Sequence, residues 1–212
     1  LAAIRRGAAA ALRLGATPAA TQAILSPLLA EFYKTQPRVH IDVHEDSSQR
    51  LLPLLLNGGL DAVFCREPVL LPASYVFKPL QPDEPVIMAS TRHPLAKRRG
   101  IALSALKDSR WVLPTATIAV REIFEREVLA ALPDALQFPV STVSLPVFAS
   151  LLNQPDAVAL VPQSIAPVLP SGAQLCQLDV QLSSPLPPLG VVHRREQIPA
   201  MLIRMLKSWR NK

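Results

Sequence analysis

An α/β protein of two lobes is what the sequence predicts, on three observations. Short apolar runs alternate with helical periodicities along most of the chain. Residues 12–66 carry the order βαβαβ without interruption. Two proline-rich polar breaks, at residues 81–85 and 185–188, divide what remains. Strands alternating with helices imply a parallel sheet with right-handed crossovers. Ligands of such sheets gather at the carboxyl ends of the strands.

Residues 1–11 are small and helix-prone and read as a lead-in. Leu12, Arg13 and Leu14 open the first strand, which runs out at Gly15 and Thr17. Apolar residues then recur at Ile24, Leu25, Leu28, Leu29 and Phe32, the stripe of an amphipathic helix. Thr17 suits its N-cap and Pro18 its first turn. Ser26-Pro27 falls inside the stripe, so the helix either kinks there or begins its regular part there. Pro37 stops it. Val39, Ile41 and Val43 alternate with His40, Asp42 and His44, the period of a half-buried strand. Ser47 or Ser48 can cap a second helix, built on Leu51, Leu52, Leu55 and Leu56 and stopped by Gly58-Gly59. Pro53 lies inside that helix and removes one of its hydrogen bonds. Residues 60–64 are short, apolar and bounded by glycine, as a strand buried on both faces should be.

Residues 75–80 read as a further strand and, beyond the first break, so do residues 85–90. A loop (91–100), a short helix near 104–107 and a strand at 111–113 come next. The helix 120–132 turns Val120, Ile123, Phe124, Val128, Leu129 and Leu132 to one side. A strand near 138–143, a helix near 147–152 and a strand at 157–161 form a second βαβ-like set. After the second break, residues 189–193 read as a strand. Met201, Leu202, Met205, Leu206 and Trp209 mark the apolar face of a final helix. With the breaks as paired hinges, the first lobe is residues 12–84 plus 189–212, and the second is 85–188.

Composition agrees with a globular chain. Of 212 residues half are hydrophobic and 18% charged, which excludes a disordered chain. No apolar run reaches the length of a membrane span, and no export signal is read at the start. Cys65 and Cys176 lack metal spacing and fit a reducing compartment. The net charge of +6 comes from scattered residues, and aromatics are 5%, too few for base-stacking platforms. No helix-turn-helix pattern is present.

Several short motifs stand in a fixed order: Leu14-Gly15 at the end of the first strand, Pro37-Arg38-Val39 leading the second, and Leu55…Gly58-Gly59-Leu60-Asp61 leading the third. His93-Pro94-Leu95-Ala96, Leu103…Leu106, Val158-Ala159-Leu160-Val161-Pro162 and Val191-Val192-His193-Arg194-Arg195 follow. In this order and spacing the chain resembles the effector-binding domain of LysR-type transcriptional regulators over nearly its whole length. The resemblance implies a periplasmic-binding-protein-like (type 2) fold, with Rossmann-like lobes joined by two crossover strands and a ligand held between them. It also implies that residues 1–11 end a linker helix behind an N-terminal helix-turn-helix domain absent from this chain. In the turn before the strand 157–161, where the family usually has glycines, Asn153-Gln154-Pro155-Asp156 replaces them.

The catalytic search is negative: there is no G-x-S-x-G, H-E-x-x-H, C-x-x-C or P-loop pattern. His40, Asp42 and His44 share one strand face and could meet a metal, but their alternation with Val39, Ile41 and Val43 is the ordinary pattern of a polar face. Cys65 beside Arg66 could have a lowered pKa, although a buried cysteine at a strand end is the commoner case. Hydroxyls cluster where strands turn into helices, at Thr17, Thr21, Ser47, Ser48, Thr115, Thr117 and Ser144. Free N–H groups and the positive dipole end lie there, and several junctions together suit a small anion. The ordinary role of each hydroxyl is an N-cap. Arg66 ends the third strand and offers a fork for a carboxylate, sulfonate or phosphate; its ordinary role is an ion pair with Glu67 or Asp46.

By resemblance, effector contacts fall on Thr17, Ala19 and Thr21, on Ser47 and Ser48, on Arg66, and in the second lobe on Thr115, Thr117 and Ile118. Ala19 stands where many relatives have a hydroxyl. The reading is thus a non-catalytic, cytoplasmic ligand sensor needing no cofactor or metal. Its expected partners are a small effector, DNA through the absent domain alone, and a second or further copies of itself. In the family such domains pair head to tail, which here sets Glu31, Lys34, His40, Asp42 and His44 against the partner's second lobe. The rivals are an exported solute receptor of the same fold and an enzyme on that scaffold.

Overall fold

The computed structural model describes residues 11–115, 118–169 and 174–209. In chain order its elements are β1 (Ala11–Ala16), α1 (Pro18–Ala20), a π-helical turn (Thr21–Leu25), α2 (Ser26–Thr35), β2 (His40–Glu45), α3 (Ser48–Leu56), β3 (Ala62–Arg66) and β4 (Tyr75–Gln81). Next come β5 (Pro85–Ser90), a 3-10 turn (Leu103–Leu106), β6 (Arg110–Leu113), α4 (Ala119–Ile123), a second π turn (Phe124–Val128), α5 (Leu129–Ala131) and β7 (Gln137–Ser141). The last are α6 (Leu145–Leu152), β8 (Ala157–Pro162), a 3-10 turn (Ala166–Val168), β9 (Leu175–Leu178), β10 (Leu189–Arg194) and α7 (Ala200–Trp209).

These elements form two compact units. The first takes the described residues up to Pro82 and again from Pro187, and the second is Asp83–Leu186. Side-chain and backbone bonds hold the residues at the two crossings. The Asp83 carboxylate accepts the Ser164 N–H at 3.1 Å and its hydroxyl at 2.7 Å, both bonds within the second unit. The carbonyls of Pro187 and Pro188 accept the Arg66 guanidinium at 2.9 Å and the Glu67 N–H at 3.0 Å, which ties them to the first.

The first unit holds a five-stranded sheet in the order β2-β1-β3-β10-β4. β1 is parallel to β2 and to β3, as alternating strands and helices require. β10 returns antiparallel to both β3 and β4, so the sheet is mixed. Leu14, Ala16, Phe64 and Val191 pack on Leu25, Leu28 and Phe32 of the first helical segment and on Leu202 and Met205 of α7. A second cluster places Leu51 and Leu55 of α3 on Val63, Cys65 and Val192. Gly15 lies where α3 packs on β1: a Cβ there would stand 2.8 Å from Leu60 Cδ1 and 3.0 Å from Leu51 Cδ2, so those leucine tips would have to shift.

The second unit repeats the plan in the order β7-β6-β8-β5-β9, with β6 parallel to β7 and β8, and β5 antiparallel to β8 and β9. Trp111, Phe124, Val158 and Leu160 centre its larger core cluster. β9 is the strand the sequence did not announce. Leu175 and Cys176 are half-buried and Gln177 is exposed, so no period of two marks it.

Other departures have local causes. β1 begins at Ala11, a residue earlier than read, and the linker-helix reading otherwise falls on residues 1–10, outside the described ones. The Pro27 ambiguity resolves as a π turn: the Ser26 N–H reaches back to the Thr21 carbonyl, and regular helix starts at Ser26 with Pro27 in its first turn. Pro53 lacks the N–H that would bond Gln49, but both residues are exposed and water can serve that carbonyl. The turn at residues 153–156 contains no left-handed residue, so glycine is not needed there. No helix among the described residues is long and apolar enough to cross a membrane.

Candidate functional site

The parallel register brings the carboxyl ends of β1, β2 and β3 side by side, with Ala16 level with Glu45 on one flank and Phe64 on the other. The loops that follow are stitched together. The Thr17 N–H donates to the Phe64 carbonyl at 2.9 Å, and the Asp46 N–H to the Ala16 carbonyl at 3.3 Å. Thr17, Ser47, Ser48 and Arg66 therefore share one edge of the first unit, with Thr21 one helical turn behind Thr17.

Thr17 is the N-cap of α1, yet its hydroxyl makes no capping bond; its Oγ1 and that of Thr21 are both buried without a hydrogen-bond partner. A buried hydroxyl left unpaired costs roughly 1–3 kcal/mol. Two of them stand one turn apart at the carboxyl edge of a parallel sheet. Ser47 likewise caps α3 by position alone, without a side-chain bond to the helix. Capping, the ordinary role of such hydroxyls, is thus not what Thr17 and Ser47 do. Ala19 instead packs against the core of the unit.

The charges at this edge are mixed. Arg66 ends β3, the middle strand, half-buried, and its Nη1 donates to the Pro187 carbonyl at 2.9 Å. At the start of α3 the Asp46 carboxylate accepts the Ser47 N–H at 2.7 Å and lies 3.5 Å from the Arg50 guanidinium. From sequence Asp46 enters only as a possible partner of Arg66, although its place just before the helix start is also an N-terminal signal. Asp46 meets the positive end of α3 itself.

The second unit sets its own strand ends together. The Thr142 N–H donates to the Leu113 carbonyl at 3.2 Å, so the loop holding Thr115 and the start of α6 are neighbours. Ser144 caps α6 by position with no side-chain bond, and its N–H donates to Thr142 Oγ1 at 3.0 Å. Ile118 packs partly into the core at the start of α4. Thr117 lies outside the described residues.

The remaining candidates are decided by their surroundings. β2 is an exposed edge strand, and His40 Nε2 lies 3.0 Å from Asp42 Oδ1. Among the described residues no group of three histidine, cysteine or acidic side chains could hold a metal. Cys65 is fully buried, and burial pushes its thiol up to about 12, the opposite of activation by Arg66.

A sequence profile of the LysR substrate binding domain matches residues 5–209. The HTH-type transcriptional regulator TtuA of Agrobacterium vitis is 36% identical over 106 residues, 50% of this chain and 35% of that protein. The chain spans between 35% and 59% of the first curated relatives it matches. The regulatory domain of CcmR from Synechocystis PCC6803, solved in complex with 2-PG, superposes with a TM-score of 0.78 at 16% identity, covering 94% of this chain and 95% of that one. The effector binding domain of QuiR, solved with shikimate, gives a TM-score of 0.72 at 17% identity, covering 94% of each. At such identities the likeness carries the fold alone.

Proposed function

Because the chain belongs to the LysR substrate-binding-domain family, we propose that its small effector binds at the carboxyl edge of β1, β2 and β3. There the Thr17 and Thr21 hydroxyls and the Arg66 guanidinium meet the ligand's polar end. The pair of buried, unpartnered hydroxyls carries this reading. Arg66 adds a planar fork suited to a carboxylate or phosphate. The similarity to domains solved with 2-PG and with shikimate supports a small ligand.

The domain acts as a sensor in this reading, not as an enzyme. Its matched relatives bear the names of transcriptional regulators. In the whole regulator, working in the cytoplasm, effector occupancy would bias how DNA-binding modules are presented. Assembly would be an isologous dimer using the β2 edge. His40, Asp42, Val43 and His44 are exposed on β2, and on α2 Tyr33 is exposed near the Glu31–Lys34 ion pair. On the second unit the β7 edge exposes Leu136, Val140 and Val143, an apolar counterpart.

Amide chemical-shift mapping with a panel of small carboxylates and phosphates tests the site. Saturable shifts at Thr17, Thr21, Ser48 and Arg66 are expected for at least one compound. Shifts confined to other regions would move the site elsewhere.

A further inference from the structure

We propose that the second unit carries a binding site of its own for a neutral polyol, a small sugar or sugar alcohol, in the pocket beside the start of β5. The pocket measures about 410 Å3, a volume inside the roughly 300–1,000 Å3 of small-molecule sites. The residues that line it lie between Glu84 and Pro185, all within the second unit. The effector edge proposed above belongs to the first.

The pocket exists because β9 leaves β5 early. The Glu84 carbonyl accepts the Gln163 N–H at 2.8 Å on the β8 side, and the Thr91 N–H donates to the Gln174 carbonyl at 2.8 Å on the β9 side. Successive residues of an antiparallel strand bond to opposite neighbours, so Pro85, Ile87 and Ala89 face β9. β9 pairs only as far as Leu178, opposite Ile87. The next step would set Val180 opposite Pro85. Instead the Val180 N–H turns back to the Leu178 carbonyl at 2.9 Å, and Val180 bridges to Ile101. The Pro85 carbonyl is left without a strand partner at the wall of the pocket. Proline has no N–H, so the gap offers an acceptor and no donor. A peptide adding as a strand needs both.

The same pocket is lined by the side chains of Gln163, Gln177 and Gln181 and by the Glu84 carboxylate, all on exposed residues. None of these four side chains bonds another described residue. The ordinary role of an exposed glutamine is solvation. Here three converge on one cavity that also has apolar lining: Val86 is buried, and Val180 and Leu182 pack on the core of the unit. An amide donates and accepts, whereas the Pro85 carbonyl and the Glu84 carboxylate only accept. No lysine, arginine or histidine is among the described residues that line the pocket, so an anion finds no counter-charge. A ligand with several hydroxyls fits this set. Each hydroxyl donates and accepts, and the C–H face of such a ligand covers the valine and leucine side chains.

Side-chain amide resonances read the site, with glucose and myo-inositol as the probes and acetate and ethylammonium as charged controls. At least one polyol should shift the Gln163, Gln177 and Gln181 amides saturably and leave Thr17 and Thr21 unmoved. Gln163→Ala and Gln177→Ala should each weaken that binding about three- to tenfold, the factor that goes with losing one ordinary hydrogen bond. Gln49→Ala, on α3 of the first unit, should change nothing. Glutamine shifts that are absent, or that grow linearly with both polyols, would overturn the site. So would polyol binding that survives both pocket variants at full strength. If acetate or ethylammonium produces the same saturable shifts, the pocket binds charge and the polyol assignment falls.

Discussion

Asp61 and Arg13 hold each other through four hydrogen bonds. The Arg13 N–H and Nε reach Asp61 Oδ2 at 2.8 and 3.3 Å, Nη2 reaches Oδ1 at 2.9 Å, and the Asp61 N–H returns to the Arg13 carbonyl at 2.8 Å. Asp61 precedes β3 and Arg13 lies in β1, so the clamp fixes how these two parallel strands meet near the amino end of β3. The Leu60-Asp61 step of the sequence motif is therefore a folding element. Asp61→Ala should lower unfolding free energy by about 1–2 kcal/mol, a modest figure because the Arg13 side chain is 43% exposed. Denaturant midpoints check this, and ligand shifts at Thr17 should persist in the variant.

Glycine substitutions should rank by what a new Cβ meets. At Gly190 it would strike the Lys78 carbonyl oxygen and the Phe77 ring, so β10 and β4 must part. Gly190→Ala should cost about 3 kcal/mol or more, and Gly15→Ala, which meets leucine tips and Val63 Cγ2, about 1–3 kcal/mol. Equal midpoints for the two variants would contradict the packing described.

Stability should decline in two steps on acidification. Burial lowers the pKa of His93 below its ordinary value, and Asp156 opposes this only in part. His93 Nδ1 accepts the Leu95 N–H at 3.1 Å and Nε2 faces Ser109 Oγ at 3.2 Å, so a second proton would displace the Leu95 bond. Below about pH 6.5 the unfolded chain takes this proton first, and stability falls by at most about 1.4 kcal/mol per pH unit until the folded pKa is reached. For Glu127 burial pushes the pKa up, but the bonds from Ser183 and Ser184 outweigh it and the net shift is downward. Its contribution is present above about pH 4.5 and disappears as pH falls through the folded value. Urea midpoints at pH 7.5, 5.5 and 4 should show both steps, and His93→Gln should flatten the first.

The thiols should behave as packing groups. Cys65 is pushed up to about 12, and burial raises Cys176 as well. A thiol reagent at pH 8 should reach half-buried Cys176 slowly and Cys65 only after unfolding. Fast modification of Cys65 in the native chain would mean that the cluster around Leu51 and Val63 opens.

Much of the fold was legible because its signals are local. The stripe from Ile24 to Phe32 and the apolar run at 60–64 each declare a period or a burial state on their own. β9 was not legible because its pairing with β5, not its own pattern, makes it a strand. The π turn at Thr21–Leu25 was visible only as the Pro27 conflict. For the site, the hydroxyl types and their places at strand ends could be read. Which of them would fail to cap a helix could not, since that depends on side-chain rotation. Nor could the bond from Arg66 to the Pro187 carbonyl, 121 residues away.

The most direct test of the effector site is a pair of measurements on Thr17→Val and Thr21→Val: the melting temperature of the free protein, and its rise with whichever small acid stabilises the wild type. Removing a buried hydroxyl that bonds nothing should leave the free protein as stable or more so, by up to about 1 kcal/mol. The ligand-induced rise, set by mass action, should shrink or vanish. Variants that melt markedly earlier but keep the full ligand-induced rise would show that these hydroxyls serve the fold, and that the effector is held elsewhere.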